Sequence, residues 1–368
     1  MAVRRAMLVL LPMLWTTSAP GMSIDLSISS ETGIASTDTR QCTVDELLPL
    51  ALSSGESLSS EWAQRVGDPL YGCDCAYLRA RYFCPLAKDG YPRWVPRAVS
   101  DGTCSSVTTS QLAEAPLPPG FKVLLYGNSY LRQMVESMMC VFREHVMTKR
   151  IKYYEEGPGN AGDRFVTVAG SAQCRSCEPF RDELVDHGCL SEIEANGEAC
   201  RCSDGTSEYT FANGAVLHYQ FAGGQQNKRV SAALPHFNVS AFSYYDAVIA
   251  NYGNPPSLEP PEVLAAAAEL KDASVPFFWL STYEGLNGEG GDVDGWALDD
   301  RVRMDSLGVK YVRVGVMALG LDHLRKKNVQ PEVGGDPHFC LPGPPNEMAL
   351  LLLKLVWASY FEHGGNAE

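Results

Sequence analysis

Apolar positions along the 368-residue chain fall into two alternating kinds of segment. Short runs rich in aromatic and β-branched residues, at Lys122 to Tyr126, Arg164 to Val168, Ala215 to Phe221, Asp246 to Asn251, Pro276 to Ser281 and Lys310 to Val316, read as strands. Leu131, Val135, Met138, Phe142 and Val146 recur at steps of four, three, four and four, the apolar stripe of an amphipathic helix. Glu262 to Ala273, with its alanine run, and Glu347 to Tyr360 read as two further helices. This alternation predicts an α/β fold with a mostly parallel sheet and helices on both faces. Asn213-Gly214 is a hairpin-turn signal, and no internal repeat is visible.

Outside this pattern the chain changes character. Arg4 and Arg5 precede an apolar stretch from Ala6 to Trp15 and small or polar residues to Ala19, the form of a secretory signal within residues 1–23. Pro20 disfavours cleavage directly after Ala19, so a cleaved signal and a retained signal anchor both stay open. No other stretch approaches the ~20 apolar residues that a spanning helix needs. A Ser/Thr-rich linker follows at 24–41, then a cysteine-rich cap at 42–117 and an α/β domain at 118–362, interrupted at about 171–205 by a cysteine-rich insertion.

Twelve cysteines, an even number behind a secretory signal, point to disulfides and to a secreted or Golgi-lumenal protein. The alternative for Cys174, Cys177, Cys200 and Cys202 is zinc, against which their unequal spacings argue. Asn238-Val239-Ser240 is a glycosylation sequon that agrees with the same route. The net charge of −14 disfavours a nucleic-acid partner and otherwise serves solubility. Glu284 to Asp300 is acidic and Gly-rich but lacks the ordered ligand spacing of a calcium loop, and no cofactor or metal is expected.

Gly127-Asn128-Ser129 stands where the first strand of the α/β domain gives way to a helix. A hydroxyl at such a turn lies at the carboxyl edge of the sheet, and the helix N-terminus offers backbone N–H groups to a developing oxyanion. The other reading of the same residues is a helix cap, for which Asn and Ser are preferred. A serine nucleophile needs an imidazole base and a group that orients it. His338 is the best placed of seven histidines, on a surface loop that Gly334, Gly335, Pro342, Gly343, Pro344 and Pro345 make rigid, with Asp336 two residues before it; His323, preceded by Asp322, is its competitor. Asp246 to Asn254 reads as a buried strand ending in Asn251, whose amide is able to donate to an oxyanion.

Together these blocks resemble the SGNH (GDSL-like) hydrolase superfamily, and within it the PC-esterase branch that includes the trichome-birefringence-like polysaccharide O-acetyltransferases. Gly127, Ser129, Arg132, Glu136, Ser137 and Cys140 fall in register with that family's nucleophile block. His338, Cys340, Leu341, Pro342, Gly343 and Pro345 match its closing block, and Asn251 and Gly253 its Asn-x-Gly strand end. Two positions depart: Asn128 stands where the family has Asp, and the acid falls two residues before the histidine, at Asp336, where the family has it three before, at the position of Gly335. Residues two apart in an extended segment face the same way, so Asp336 can reach the imidazole; Asp322 or a backbone carbonyl is the substitute.

The resemblance implies a three-layer α/β/α sandwich and transfer of an acyl group, most simply acetyl, to or from carbohydrate hydroxyls through an acyl-enzyme on Ser129. His338 would be the base, and the Ser129 N–H, Asn251 and Gly223 the oxyanion hole. Arg132 would bind substrate or brace the turn. The partners would be a carbohydrate acceptor and a small acyl donor. Hydrolysis alone is one alternative, and a non-catalytic glycan-binding protein on the same fold is another.

Overall fold

The computed structural model describes residues 40–53, 93–142, 145–153, 164–169, 206–222, 229–251, 260–281, 298–318, 321–325, 338–339 and 343–364. The chain opens with a short helix α1 (Val44–Leu47), strands β1 (Leu50–Ser53) and β2 (Arg93–Pro96), and helices α2 (Arg97–Ser100) and α3 (Thr109–Glu114). There follow β3 (Lys122–Gly127), α4 (Ser129–Phe142), β4 (Val146–Tyr153), β5 (Arg164–Ala169), β6 (Thr206–Phe211), β7 (Val216–Phe221) and β8 (Ala247–Asn251). The chain closes with α5 (Pro260–Asp272), β9 (Phe277–Leu280), α6 (Leu298–Ser306), β10 (Lys310–Val312) and α7 (Pro344–Glu362).

Strands β3 to β10 form one sheet in the order β10-β9-β8-β3-β7-β6-β4-β5. The five strands from β10 to β7 are parallel, and β6, β4 and β5 continue the sheet antiparallel. The fold is therefore α/β with a mostly parallel central sheet. The period-two alternation of β3 divides the core between its faces. Val123 and Leu125 join α4 and α7 on one side, while Leu124 and Tyr126 join α5 on the other, an arrangement compatible with a three-layer sandwich.

Helix α7 is apolar almost all round, as befits a helix covered on every side. Met348 to Leu353 and Leu355 to Ala358 are all buried. One cover is α4; another is the N-terminal segment, whose Cys42, Val44, Leu47, Cys104 and Leu112 share the α7 core. The Val44 N–H donates to Glu362 Oε1 at 2.7 Å across the end of α7. A Cys42–Cys104 disulfide closes this segment, and β1 pairs antiparallel with β2. Each fully buried aliphatic side chain here stabilises by about 1.5–3 kcal/mol.

Three expectations are corrected. The helix beginning at Ser129 does not run to Val146: it is assigned to Phe142, and Val146, which fits the helical stripe by spacing, opens β4 opposite Phe211. The strand at Lys310 stops at Val312, because Val314–Ala318 turns into a 3-10 helix whose Gly315 N–H donates to the buried Ser281 hydroxyl at 2.8 Å. Thr206–Phe211 is a strand that the hydrophobic pattern does not reveal. The Asn213-Gly214 turn joins β6 to β7 as expected, with Gly214 at φ 79°. The secretory signal, the linker to residue 39 and the insertion at 171–205 lie outside the described residues.

Candidate active site

At the carboxyl edge of the sheet, β3 ends between its two parallel neighbours, β7 and β8. Gly127 pairs with Phe221, and Tyr126 with Ala250, so Asn251 arrives beside Gly127. The approach is close: a Cβ on Gly127 would stand 2.8 Å from the Asn251 carbonyl oxygen and 2.8 Å from Leu131 Cδ2. Glycine is required here by space. On the other side, the Ala222 N–H donates to the Gly127 carbonyl at 2.8 Å.

The chain then enters α4. Asn128 Oδ1 accepts from the Tyr130 N–H at 3.0 Å, and the Asn128 carbonyl accepts the Arg132 N–H at 3.0 Å, so Asn128 caps the helix. Ser129 is the first helical residue and half-buried. The cap reading thus belongs to Asn128 and leaves the Ser129 hydroxyl for other work. The first turn of any helix carries N–H groups with no intrahelical acceptor, and the Ser129 N–H is one of them. Arg132 is buried, its guanidinium 5.2 Å from the Phe221 ring centroid, an arrangement that braces the turn.

His338 is placed near this edge by contacts of its neighbours with α4. Ser129, Gln133 and Ser137 recur every four residues, so they form one polar line along α4. Gln133 and Ser137 are completely buried, and each fastens the C-terminal segment. Ser137 Oγ accepts from Asn346 Nδ2 at the start of α7, and Asn346 Oδ1 in turn accepts the Gly343 N–H at 2.8 Å. One turn nearer the sheet edge, Gln133 Nε2 donates to the Phe339 carbonyl at 2.8 Å.

Asn346 is therefore anchored at Ser137 and Phe339 at Gln133, one turn closer to Ser129. His338 ends with its ring 5.2 Å from that of Tyr130, the residue after Ser129. Phe339 is itself fully buried beneath the Arg325 guanidinium, 4.4 Å from its ring, and pairs antiparallel with Arg325. Among the described residues no hydrogen bond joins Ser129 to His338; their neighbours make the contacts between the two segments.

Four of the expected residues, Ser129, Arg132, Asn251 and His338, thus gather at or beside this edge. Asn251 is buried at 1 % exposure, and its Oδ1 has no hydrogen-bond partner among the described residues. Asp336 and Gly223 lie outside the described residues. Asp322 opens a short 3-10 turn, Asp322–Leu324, that leads into Arg325; His323, the competing histidine, is exposed. Asn238 is exposed in the left-handed region at φ 56°, at the end of another 3-10 helix. Sequence reasoning missed Gln133, Phe339 and Arg325. The period-four recurrence of Ser, Gln and Ser inside an otherwise apolar helix was the available signal for the first.

A second polar group lies on the opposite face of the sheet. His218 is buried and stacked 3.9 Å from Phe237; its Nε2 meets Glu208 Oε2 at 3.0 Å and its Nδ1 meets the Tyr245 hydroxyl at 2.8 Å. The hydrogen bond with His218, joined by one from Arg150, holds the Glu208 carboxyl below its ordinary range. Burial, and then the neighbouring Tyr244 and Glu208, push the Tyr245 phenol above its own. His218 is thus bracketed by the Glu208 carboxylate at one ring nitrogen and the Tyr245 hydroxyl at the other. With both ring nitrogens engaged and the ring enclosed, this histidine fixes β6 to β7.

Among the described residues no cluster of three or more His, Cys, Asp or Glu could hold a metal ion, and no helix is long and apolar enough to cross a membrane. No protein-family model matches the chain, and no curated protein matches it.

Proposed function

We propose that the chain is a serine-dependent acyl enzyme of SGNH-like architecture that moves an acyl group, most simply acetyl, to or from carbohydrate hydroxyls in the secretory pathway. The observation that carries this reading is the polar line Ser129, Gln133 and Ser137, along which the C-terminal segment is fastened so that His338 lies against Tyr130. A histidine beside the neighbour of a helix-initiating serine, at the carboxyl edge of a parallel sheet, supports a base within reach of a serine nucleophile, the pairing that nucleophilic acyl transfer uses.

Ser129 Oγ attacks the acyl carbonyl carbon as His338 takes its proton. The oxyanion is held by the Ser129 N–H and the Asn251 side chain, with Gly223 as the third donor. The bond to the leaving alcohol breaks, and that alcohol takes the proton from the imidazolium. A sugar hydroxyl or water then gives its proton to His338 and attacks the acyl-serine; the bond to Ser129 Oγ breaks, and Oγ takes that proton back from the imidazolium. Asp336, or Asp322 in its place, orients the imidazole, and Arg132 steadies the turn or the substrate. No step calls for a metal or cofactor.

Transfer and hydrolysis share every step up to the acyl-enzyme, and the resemblance to polysaccharide O-acetyltransferases favours transfer. The test is incubation of the purified chain with an activated acetyl ester, with and without oligosaccharide acceptors. Acetylated sugar that disappears in Ser129→Ala supports transferase action. Acetate release that no acceptor diverts makes the protein an esterase, and no acetyl consumption in either arm overturns the proposal.

A further inference from the structure

We propose that Gln133 is a positioning residue, whose task is to hold His338 at working distance from Ser129; the inference rests on the acyl-enzyme reading. Gln133 is completely buried, yet only half of its amide is used: Nε2 donates to the Phe339 carbonyl at 2.8 Å, whereas Oε1 has no hydrogen-bond partner among the described residues. Burying an amide with one end unsatisfied is unfavourable, so stability is a poor reason for a glutamine at this position.

What the side chain does accomplish is specific. It reaches from α4, one turn beyond Ser129, to the carbonyl of Phe339, the residue after His338, and so ties nucleophile and base to one rigid element. The lower staple, Ser137 with Asn346, fixes where α7 begins. Gln133 fastens the chain at Phe339, next to His338. Phe339 completes the anchor, because its buried ring under Arg325 resists rotation of the segment about the Gln133 bond.

A displacement of about 1 Å at a reacting centre costs on the order of 10²-fold in rate. Gln133→Met, close in volume and unable to donate, is expected to lower kcat for an acetyl ester by ~10- to 100-fold at little change in KM. The effect has to act through His338. In a double-mutant cycle, Gln133→Met is expected to cost nothing further in a His338→Ala background, where a merely structural residue would lower the rate again. Hydrogen exchange of the peptide containing His338 and Phe339 should accelerate while that of α4 is unchanged.

Gln133→Glu is the second variant, which covers a failure of the first to fold. Its carboxyl can donate to the Phe339 carbonyl only while protonated, so the rate should fall on an alkaline limb that the wild-type profile lacks. Wild-type kcat and pH profile in both variants, in a chain whose Ser129→Ala form is inactive, overturn the positioning role and leave the acyl-enzyme reading standing. A wild-type chain that consumes no ester and takes up no serine-directed phosphonate overturns both.

Discussion

Gly127→Ala is the smallest change that tests the geometry of the sheet edge. The added methyl would lie 2.8 Å from the Asn251 carbonyl oxygen, against at least 3.4 Å for an ordinary contact, so something must yield by about 0.6 Å. Leu131 supplies a second obstacle, its Cδ2 at 2.8 Å and Cβ at 3.0 Å. The leucine tip can rotate, but Leu131 is fully buried within the core and the Asn251 oxygen belongs to the end of β8, held in register between β3 and β9. Overpacking of this kind costs about 1–3 kcal/mol.

The strand end that gives way carries the proposed oxyanion donor, and a displacement of this size should lower kcat by roughly 10-fold, scaled from the ~10²-fold cost of 1 Å. Urea unfolding gives the first quantity, and acetyl-ester turnover at saturating substrate gives the second. A Gly127→Ala protein with wild-type midpoint and wild-type kcat would refute the close approach of β8 to the turn at Ser129, and with it the role proposed for Asn251.

Three further outcomes follow from the same structure. Asn251→Ala should lower kcat by 10²- to 10³-fold, as loss of an oxyanion donor does, while leaving urea stability intact because its buried Oδ1 is already unsatisfied among the described residues; a stability loss without a rate loss would reverse the assignment. Replacing Cys42 and Cys104 together by Ser should cost about 4 kcal/mol from the loop-closure entropy of a 62-residue separation, and a difference below about 1 kcal/mol in urea unfolding would show that the N-terminal segment is held by packing instead. Glu208, with a folded pKa below its unfolded value of about 4.3, contributes stability that is complete above that pH and is lost as pH falls through the folded value; Glu208→Gln should flatten the acid limb of the stability curve below about pH 4.3, and an unchanged limb would remove the His218 pairing from the account.

How much of this was legible beforehand varies from element to element. The parallel half of the sheet is plain in the sequence because β3, β8 and β9 are buried on both faces and read as continuous apolar runs. The antiparallel half is not. Thr206–Phe211 places Glu208 where a core residue would be expected, and that carboxylate is accommodated only because Arg150 and His218 come to it from β4 and β7. Such pairing is non-local, and no window of sequence contains it. Val146 misleads for the opposite reason, since its spacing from Phe142 fits a helix and only its partner Phe211, sixty-odd residues on, makes it a strand.

At the site, the turn at Ser129 could be foreseen and its cap could not be apportioned. Asn128 and Ser129 are both good caps, and the bond from the Tyr130 N–H to Asn128 decides between them. The route of His338 to the helix was hidden because Gln133 and Phe339 are 206 residues apart. Only the polar periodicity of α4 hinted that something would be fastened there.

The central claim, that Ser129 and His338 form one reactive centre, is tested most directly by treating the full chain with a fluorophosphonate and locating the adduct by peptide mass spectrometry. The account predicts a single adduct on the peptide containing Ser129, formed far more slowly in His338→Ala and not at all in Ser129→Ala. An adduct elsewhere, or labelling of Ser129 at the same rate without His338, would contradict it.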